Sequence, residues 1–87
     1  MEFEWDENKS RINKSKHGID FNTATELWND QNRIEIQTKF PAENRNALIG
    51  KIKDKIWTAI FTRRLYAIRI ISVRRARKKE TKLYERK

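Results

Sequence analysis

Arg64, Arg69 and Arg74 fall close together in the second half of an 87-residue chain, and a phosphodiester is what such a set suits. A guanidinium stays protonated at any relevant pH, and its planar fork places two donors against phosphate oxygens. Each well-aimed donor to developing charge contributes roughly 3 kcal/mol, about a hundredfold in rate. If the diester is RNA, the ribose 2′-hydroxyl supplies the nucleophile. The protein must then accept that proton, stabilise the charge building at phosphorus and protonate the leaving 5′-oxygen. Imidazole is the side chain whose usual titration range suits both proton steps near neutrality, and His17 is the single histidine. Glu80 and Tyr84 are the alternative proton carriers, and Tyr84 is also a stacking platform for a base.

Each of these residues also has a plainer use. Arg69 can bridge across a sheet to Glu35 or to a helix acid. Arg64 and Arg74 can be solvated strand ends. His17 can cap a helix by bonding a backbone carbonyl. Glu80 can pair with Arg77 or Lys79 along a helix.

Charge is placed unevenly. Residues 1–50 carry 7 basic and 9 acidic side chains, whereas residues 51–87 carry 14 basic and 3 acidic, for a total of +9. A lopsided basic half implies a polyanion or an acidic protein partner. Lys16, Arg63, Arg75, Lys79 and Tyr84 join the arginines as expected RNA contacts, which give affinity without reading sequence. With no cysteine, one histidine and scattered acids, neither a zinc nor a magnesium site is expected. Two glycines leave no Gly-rich phosphate cradle, so no cofactor is expected. No apolar run nears the roughly 18 residues of a membrane helix, and the N-terminus lacks a signal-peptide pattern. A cytoplasmic protein, with no membrane partner, is the expectation.

These residues need elements to hold them. Glu2 to Trp5 alternates as a short strand. Asp6 caps a helix from Glu7 to about Lys16, with Ile12 as its apolar contact, and Gly18 ends it. Asp20 starts a second helix to about Asn29, burying Phe21, Ala24, Leu27 and Trp28. Ile34 and Ile36 alternate with Glu35 and Gln37 in a strand that Pro41 ends. Leu48–Ile52, Ile56–Thr62 and Tyr66–Arg74 follow as strands, the middle one apolar on both faces. Lys53–Lys55 and Arg64–Tyr66 are the turns, short enough for antiparallel pairing. Counting by two puts Arg69 and Arg74 on opposite faces of the last strand. They share a site only if that strand twists, bulges or ends early. Arg75 to Lys87 reads as a helix with Ala76, Leu83 and Tyr84 as its contact stripe. The fold class is α+β: an antiparallel sheet of about four strands (five with the N-terminal one), two N-terminal helices and one C-terminal helix. Residues 1–87 are expected to form one domain.

One ordered set of residues carries a resemblance. Phe3-Glu4-Trp5-Asp6, Lys9, Asn13, Lys16-His17-Gly18-Ile19, Phe21 and Ala24 come first. Arg45, Ile49-Gly50, Thr62, Arg64, Ile68 to Ala76, Glu80 and Tyr84 follow. Together they resemble the BrnT family, ribonuclease toxins of type II toxin–antitoxin systems with a RelE-like fold. The resemblance implies metal-independent RNA cleavage, arrest of translation and a BrnA-like antitoxin whose own DNA-binding part brings the complex to operator DNA. It places Arg64, Arg69 and Arg74 at family positions, and Lys16 and His17 in a family motif. Arg63 stands where an acidic residue is common, so two adjacent arginines compete for one role. Leu65 and Tyr66 replace a glycine-type turn. The competing reading is a non-catalytic basic module that binds nucleic acid or the antitoxin and acts as a co-repressor.

Overall fold

The computed structural model describes residues 1–38 and 44–86. The expectation that Pro41 ends a strand lies outside the described residues. The chain runs β1 (Glu2–Glu4), α1 (Glu7–His17), α2 (Phe21–Ala24), a 3₁₀ segment (Thr25–Asn29), β2 (Ile34–Gln37), β3 (Arg45–Ile52), β4 (Lys55–Arg64), β5 (Ala67–Arg75) and α3 (Lys78–Glu85). The strands form one sheet in the order β1-β5-β4-β3-β2. Strands β2 to β5 are an antiparallel meander, as their short connections dictate. Strand β1 departs from that pattern and lies parallel to β5, with Phe3 opposite Ile68. Its partner is the last strand, so no short connection constrains its direction.

Helix α1 is anchored by polar side chains. The Asp6 carboxylate accepts from the N–H groups of Asn8 and Lys9 at 2.8 and 3.3 Å, a cap worth about 1 kcal/mol. Gly18, at φ 82°, ends the helix in the left-handed conformation, where a side chain would be strained. Between these caps Ile12 is 62% exposed, which corrects its expected role as the apolar contact. Ser10 and Asn13 share the inward face instead, three residues apart. The Ser10 hydroxyl accepts from Phe21 N–H at 2.9 Å. The Asn13 amide donates to the carbonyls of Ile19 and Val73, both at 2.9 Å, and accepts from Val73 N–H at 3.1 Å. Strand β1 covers β5 only as far as Arg69. Asn13 therefore satisfies backbone groups on an edge that no strand reaches.

Ile19, Phe21, Ala24, Leu27 and Trp28 pack against Leu48, Trp57, Ala59, Phe61, Ile68, Ile70 and Val73 on one face of the sheet. Trp28 sits edge-on between Phe3 and Phe61, with centroids at 5.1 and 5.2 Å. The second helix tightens into 3₁₀ form where Leu27 meets β3. A Cβ at Gly50 would lie 3.2 Å from the Leu27 side chain and 3.3 Å from its carbonyl oxygen, so a larger residue here would press Leu27 back by a few tenths of an ångström.

Strand β5 changes face midway. Ile60 pairs with Ser72 but Phe61 pairs with Ile70, leaving Ile71 as an extra residue. Ile68, Ile70 and Val73 all reach the helix side and are buried, although the last two are three apart. Arg69 stands opposite Thr62 and Arg74 opposite Thr58. Thr58 and Thr62 share one face of β4, so the bulge brings Arg69 and Arg74 to the same face, the one away from α1 and α2.

Helix α3 packs across β3 on that second face. Leu83 stays 39% exposed and no α3 residue is buried, so the expected Ala76–Leu83–Tyr84 stripe is not what holds it. Polar contacts from Glu80 and Tyr84 do. Among the described residues no helix is long and apolar enough to cross a membrane.

Candidate active-site cleft

One rung of the sheet sets out the site. Arg45 on β3 pairs with Thr62 on β4, Thr62 with Arg69 on β5, and Arg69 with Glu4 on β1. Paired residues project to the same face, so four polar side chains line up across four strands. Arg64, two residues beyond Thr62, joins them. Arg45, Thr62, Arg64 and Arg69, with Lys9, Asn44, Arg63 and Ile71, line a cleft of about 390 Å³, and Glu4 stands beside it through its bond to Arg69. Lys9 enters from the first turn of α1. Thr62 is fixed by donating its hydroxyl to the Asn44 carbonyl at 2.9 Å.

Glu4 organises the cations. Its Oε2 accepts from Arg69 Nη1 at 3.0 Å and lies 3.9 Å from Arg64 Nε. The Arg69 side chain keeps a third of its surface exposed. Each guanidinium has five N–H donors, so one carboxylate oxygen leaves most of them able to meet an incoming anion.

The adjacent arginines separate. Arg64 lies beside Glu4 and Arg69. Arg63 reaches Glu35 on β2 through both terminal nitrogens, one bond measuring 2.8 Å and the other, Nη1 to Oε2, being a close ion pair. Its guanidinium also lies 5.4 Å from the Phe61 ring. The Arg63 hydrogen bond holds Glu35 below the usual carboxylate range, and Glu35 raises Arg63 in return. Glu35 or a helix acid was the plainer alternative partner for Arg69. Glu35 takes Arg63 because both lie on the helix-side face, whereas Arg69 lies on the other and takes Glu4.

Arg74 and Glu80 share that second face but do not line the cleft. Their carboxylate–guanidinium fork closes at 2.8 and 2.9 Å. Glu80 also accepts from the Thr58 hydroxyl at 2.9 Å and from Arg77 N–H at 2.7 Å. The Arg74 hydrogen bond, aided by these donors, pulls the Glu80 carboxyl down to about 2. A side-chain pair with Arg77 or Lys79 along the helix was the plainer alternative for it. The bulge supplies Arg74 instead, and Arg77 contributes only its backbone.

Other expected contacts lie elsewhere. Tyr84 donates its hydroxyl to Asp30 at 2.6 Å; burial and that bond push its pKa up to about 12. Asp30 in turn accepts from Lys51 N–H at 2.8 Å. His17 and Lys16 are exposed in the last turn of α1. At about 1.5 Å per residue, His17 stands roughly 12 Å along the axis from Lys9. Arg75 lies 5.5 Å over the Trp57 ring, and Lys79 lines a hollow on α3 with Lys82 and Arg86. Lys9, Asn44, Arg45 and Thr62 complete the cleft, and Glu4 stands beside it, without having been singled out for chemistry. For Arg45, Thr62 and Glu4 the signal is the pairing register, and for Glu4 it depends on β1 lying beside β5. Among the described residues, no three His, Cys, Asp or Glu side chains group as metal ligands.

Residues 5–80 match the family described as the ribonuclease toxin BrnT of type II toxin–antitoxin systems. The chain belongs to the BrnT family. Its mixed sheet, two N-terminal helices and C-terminal helix form the RelE-like arrangement that the resemblance implied. Membership carries a general ribonuclease-toxin role and a two-component system with a cognate antitoxin. No curated protein matches the chain in sequence.

Proposed function

We propose that the protein is a metal-independent endoribonuclease whose reaction centre is the cleft over β3, β4 and β5, with Glu4 of β1 beside it. The observation carrying this reading is the Arg45–Thr62–Arg69–Glu4 rung, with Arg64 beside it. Arg64 and Arg69 meet the non-bridging phosphate oxygens, and their donors strengthen as charge builds in the transition state. Glu4 is the carboxylate beside both arginines, and it takes the proton of the attacking 2′-hydroxyl. Lys9 donates a proton to the departing 5′-oxygen. The 2′-oxygen–phosphorus bond forms, the phosphorus–5′-oxygen bond breaks, and a 2′,3′-cyclic phosphate remains. Solvent exchange restores both side chains. His17 stands at the far end of α1 from Lys9, and Glu80 is held by Arg74, Thr58 and Arg77 N–H, so the proton steps in this reading do not use them.

Cutting RNA arrests translation, and a BrnA-like antitoxin neutralises the protein most simply by covering the cleft. Carboxylates on that partner would answer the five cationic side chains of the lining. Purified protein on a defined RNA tests the reaction. Cleavage persists in EDTA, a 2′-deoxy sugar at the cut position abolishes it, and Arg69→Ala lowers it about a hundredfold. RNA that is bound with a steep salt dependence yet left intact would instead establish a non-catalytic binding module.

A further inference from the structure

The hairpin tip joining β4 to β5 is built against the rules that govern such turns. Leu65 and Tyr66 form a two-residue link between the paired residues Arg64 and Ala67. Links of this length favour Gly, Asn or Asp. The other two-residue link keeps the backbone usual for such turns, with Lys53 at φ 57°, and follows it with Asp54. Neither Leu65 nor Tyr66 has a positive φ, and neither side chain packs on the protein. Leu65 is 95% exposed and Tyr66 87% exposed, with Met1 at 81% beside them. Local rules broken without a packing gain are expected at functional or strained sites.

The position of the tip says what covers it. Met1, Leu65 and Tyr66 share a shallow hollow of about 280 Å³ with Arg63 and Arg64, and those two arginines also line the cleft. An apolar ledge with one aromatic face is therefore continuous with a cationic phosphate site. Backbone cations beside an aromatic platform are the elements that hold single-stranded nucleic acid.

We infer that the Leu65–Tyr66 tip is a base-binding subsite, on which an unpaired nucleobase next to the phosphate in the cleft stacks against the Tyr66 ring. The inference rests on the cleft being the phosphate site. It adds that the substrate strand is unpaired there, because a base held in a duplex cannot lay its face on the tip. Stacking on a phenol ring is tolerant of base identity, so the subsite selects single strands more than sequence.

The test compares two labelled probes of equal length: a 2′-O-methylated single-stranded RNA, which cannot be cleaved, and the same sugar-phosphate chain without bases. Tyr66→Ala weakens binding of the base-bearing strand about tenfold and leaves the abasic chain unaffected. Tyr66→Phe binds both as the parent does. Arg69→Ala weakens both probes. Unchanged circular dichroism is expected for all three variants, since Tyr66 is exposed and Arg69 lies at the cleft. An equal loss on both probes, or no loss, with Tyr66→Ala overturns the subsite. So does a parent dimer in sedimentation that Tyr66→Ala dissociates, because a second copy would then cover the tip. If Arg69→Ala binds normally while Tyr66→Ala discriminates the probes, the phosphate reading fails and the stacking result stands.

Discussion

Two arginine–glutamate pairs share one face of the sheet, and they are built differently. Arg74 and Glu80 meet through both nitrogens and both oxygens, with side chains 24% and 20% exposed. Glu80 is further saturated by Thr58 and by Arg77 N–H. Arg69 and Glu4 meet through one bond of 3.0 Å, with side chains 33% and 40% exposed. Glu4 is shared with Arg64. The first pair fastens α3 to the sheet and closes the first turn of that helix. The second leaves guanidinium donors facing a cleft. The same two side-chain types therefore serve structure where both carboxylate oxygens are answered by a close fork, and are suited to chemistry where donors remain for an anion.

Exchanging alanine between the two arginines gives the largest contrast. Arg69→Ala should lower RNA cleavage about a hundredfold while shifting stability by less than about 1 kcal/mol, as for a surface pair. Arg74→Ala should do the reverse. It leaves the Glu80 carboxylate mostly covered and without its main partner, costing on the order of 2–3 kcal/mol. Urea unfolding read alongside initial cleavage rates separates the two outcomes. Equal losses of activity at equal stability would erase the distinction and bring Arg74 into the reaction.

How far each pair could be read beforehand follows from what sets its geometry. Arg64, Arg69 and Arg74 stand out by type alone, and the meander that carries them follows from alternation and short links. The cap at Asp6, the left-handed Gly18 and the apolar face from Ile19 to Trp28 are likewise local. The partners are another matter. Glu4 reaches Arg69 only because β1 joins β5 in parallel from the far end of the chain, and no local pattern encodes that pairing. Arg74 reaches Glu80 because of one extra residue in β5, at Ile71. Ile71 looks like any other residue of an apolar strand, so simple alternation sends Arg74 to the wrong face. Ile12 misleads for a related reason. Asn13 satisfies an open strand edge, and that rotation of α1 turns Ile12 toward solvent.

Acid should open the structural pair well before it alters the arginines. Glu80 has its carboxyl lowered from an ordinary 4.5 to about 2. A depressed carboxyl contributes stability that is fully present above the unfolded value and is lost as pH falls through the folded one. The window is therefore pH 4.5 down to about 2, and the contribution at neutral pH is on the order of 3 kcal/mol. Glu80→Gln should flatten that part of the stability profile and cost about 2 kcal/mol at pH 7. Thermal unfolding of both proteins across pH 2–7 checks it. Parallel profiles would mean that Glu80 does not carry the acid sensitivity.

Glu4→Gln probes the open pair with the smallest expected change in stability, under about 1 kcal/mol. Its value lies in separating binding from chemistry. The carboxylate competes with phosphate for Arg69 and Arg64, so replacing it with an amide should tighten binding of a cleavage-resistant RNA several-fold. The amide cannot accept the 2′-hydroxyl proton, so turnover should fall despite tighter binding, by the factor of about 100 or more that general-base catalysis supplies. The two shifts run in opposite directions, and that opposition is the diagnostic. Were Glu4 only a clamp for Arg69, its loss would leave the guanidinium misplaced, and binding and turnover would weaken together.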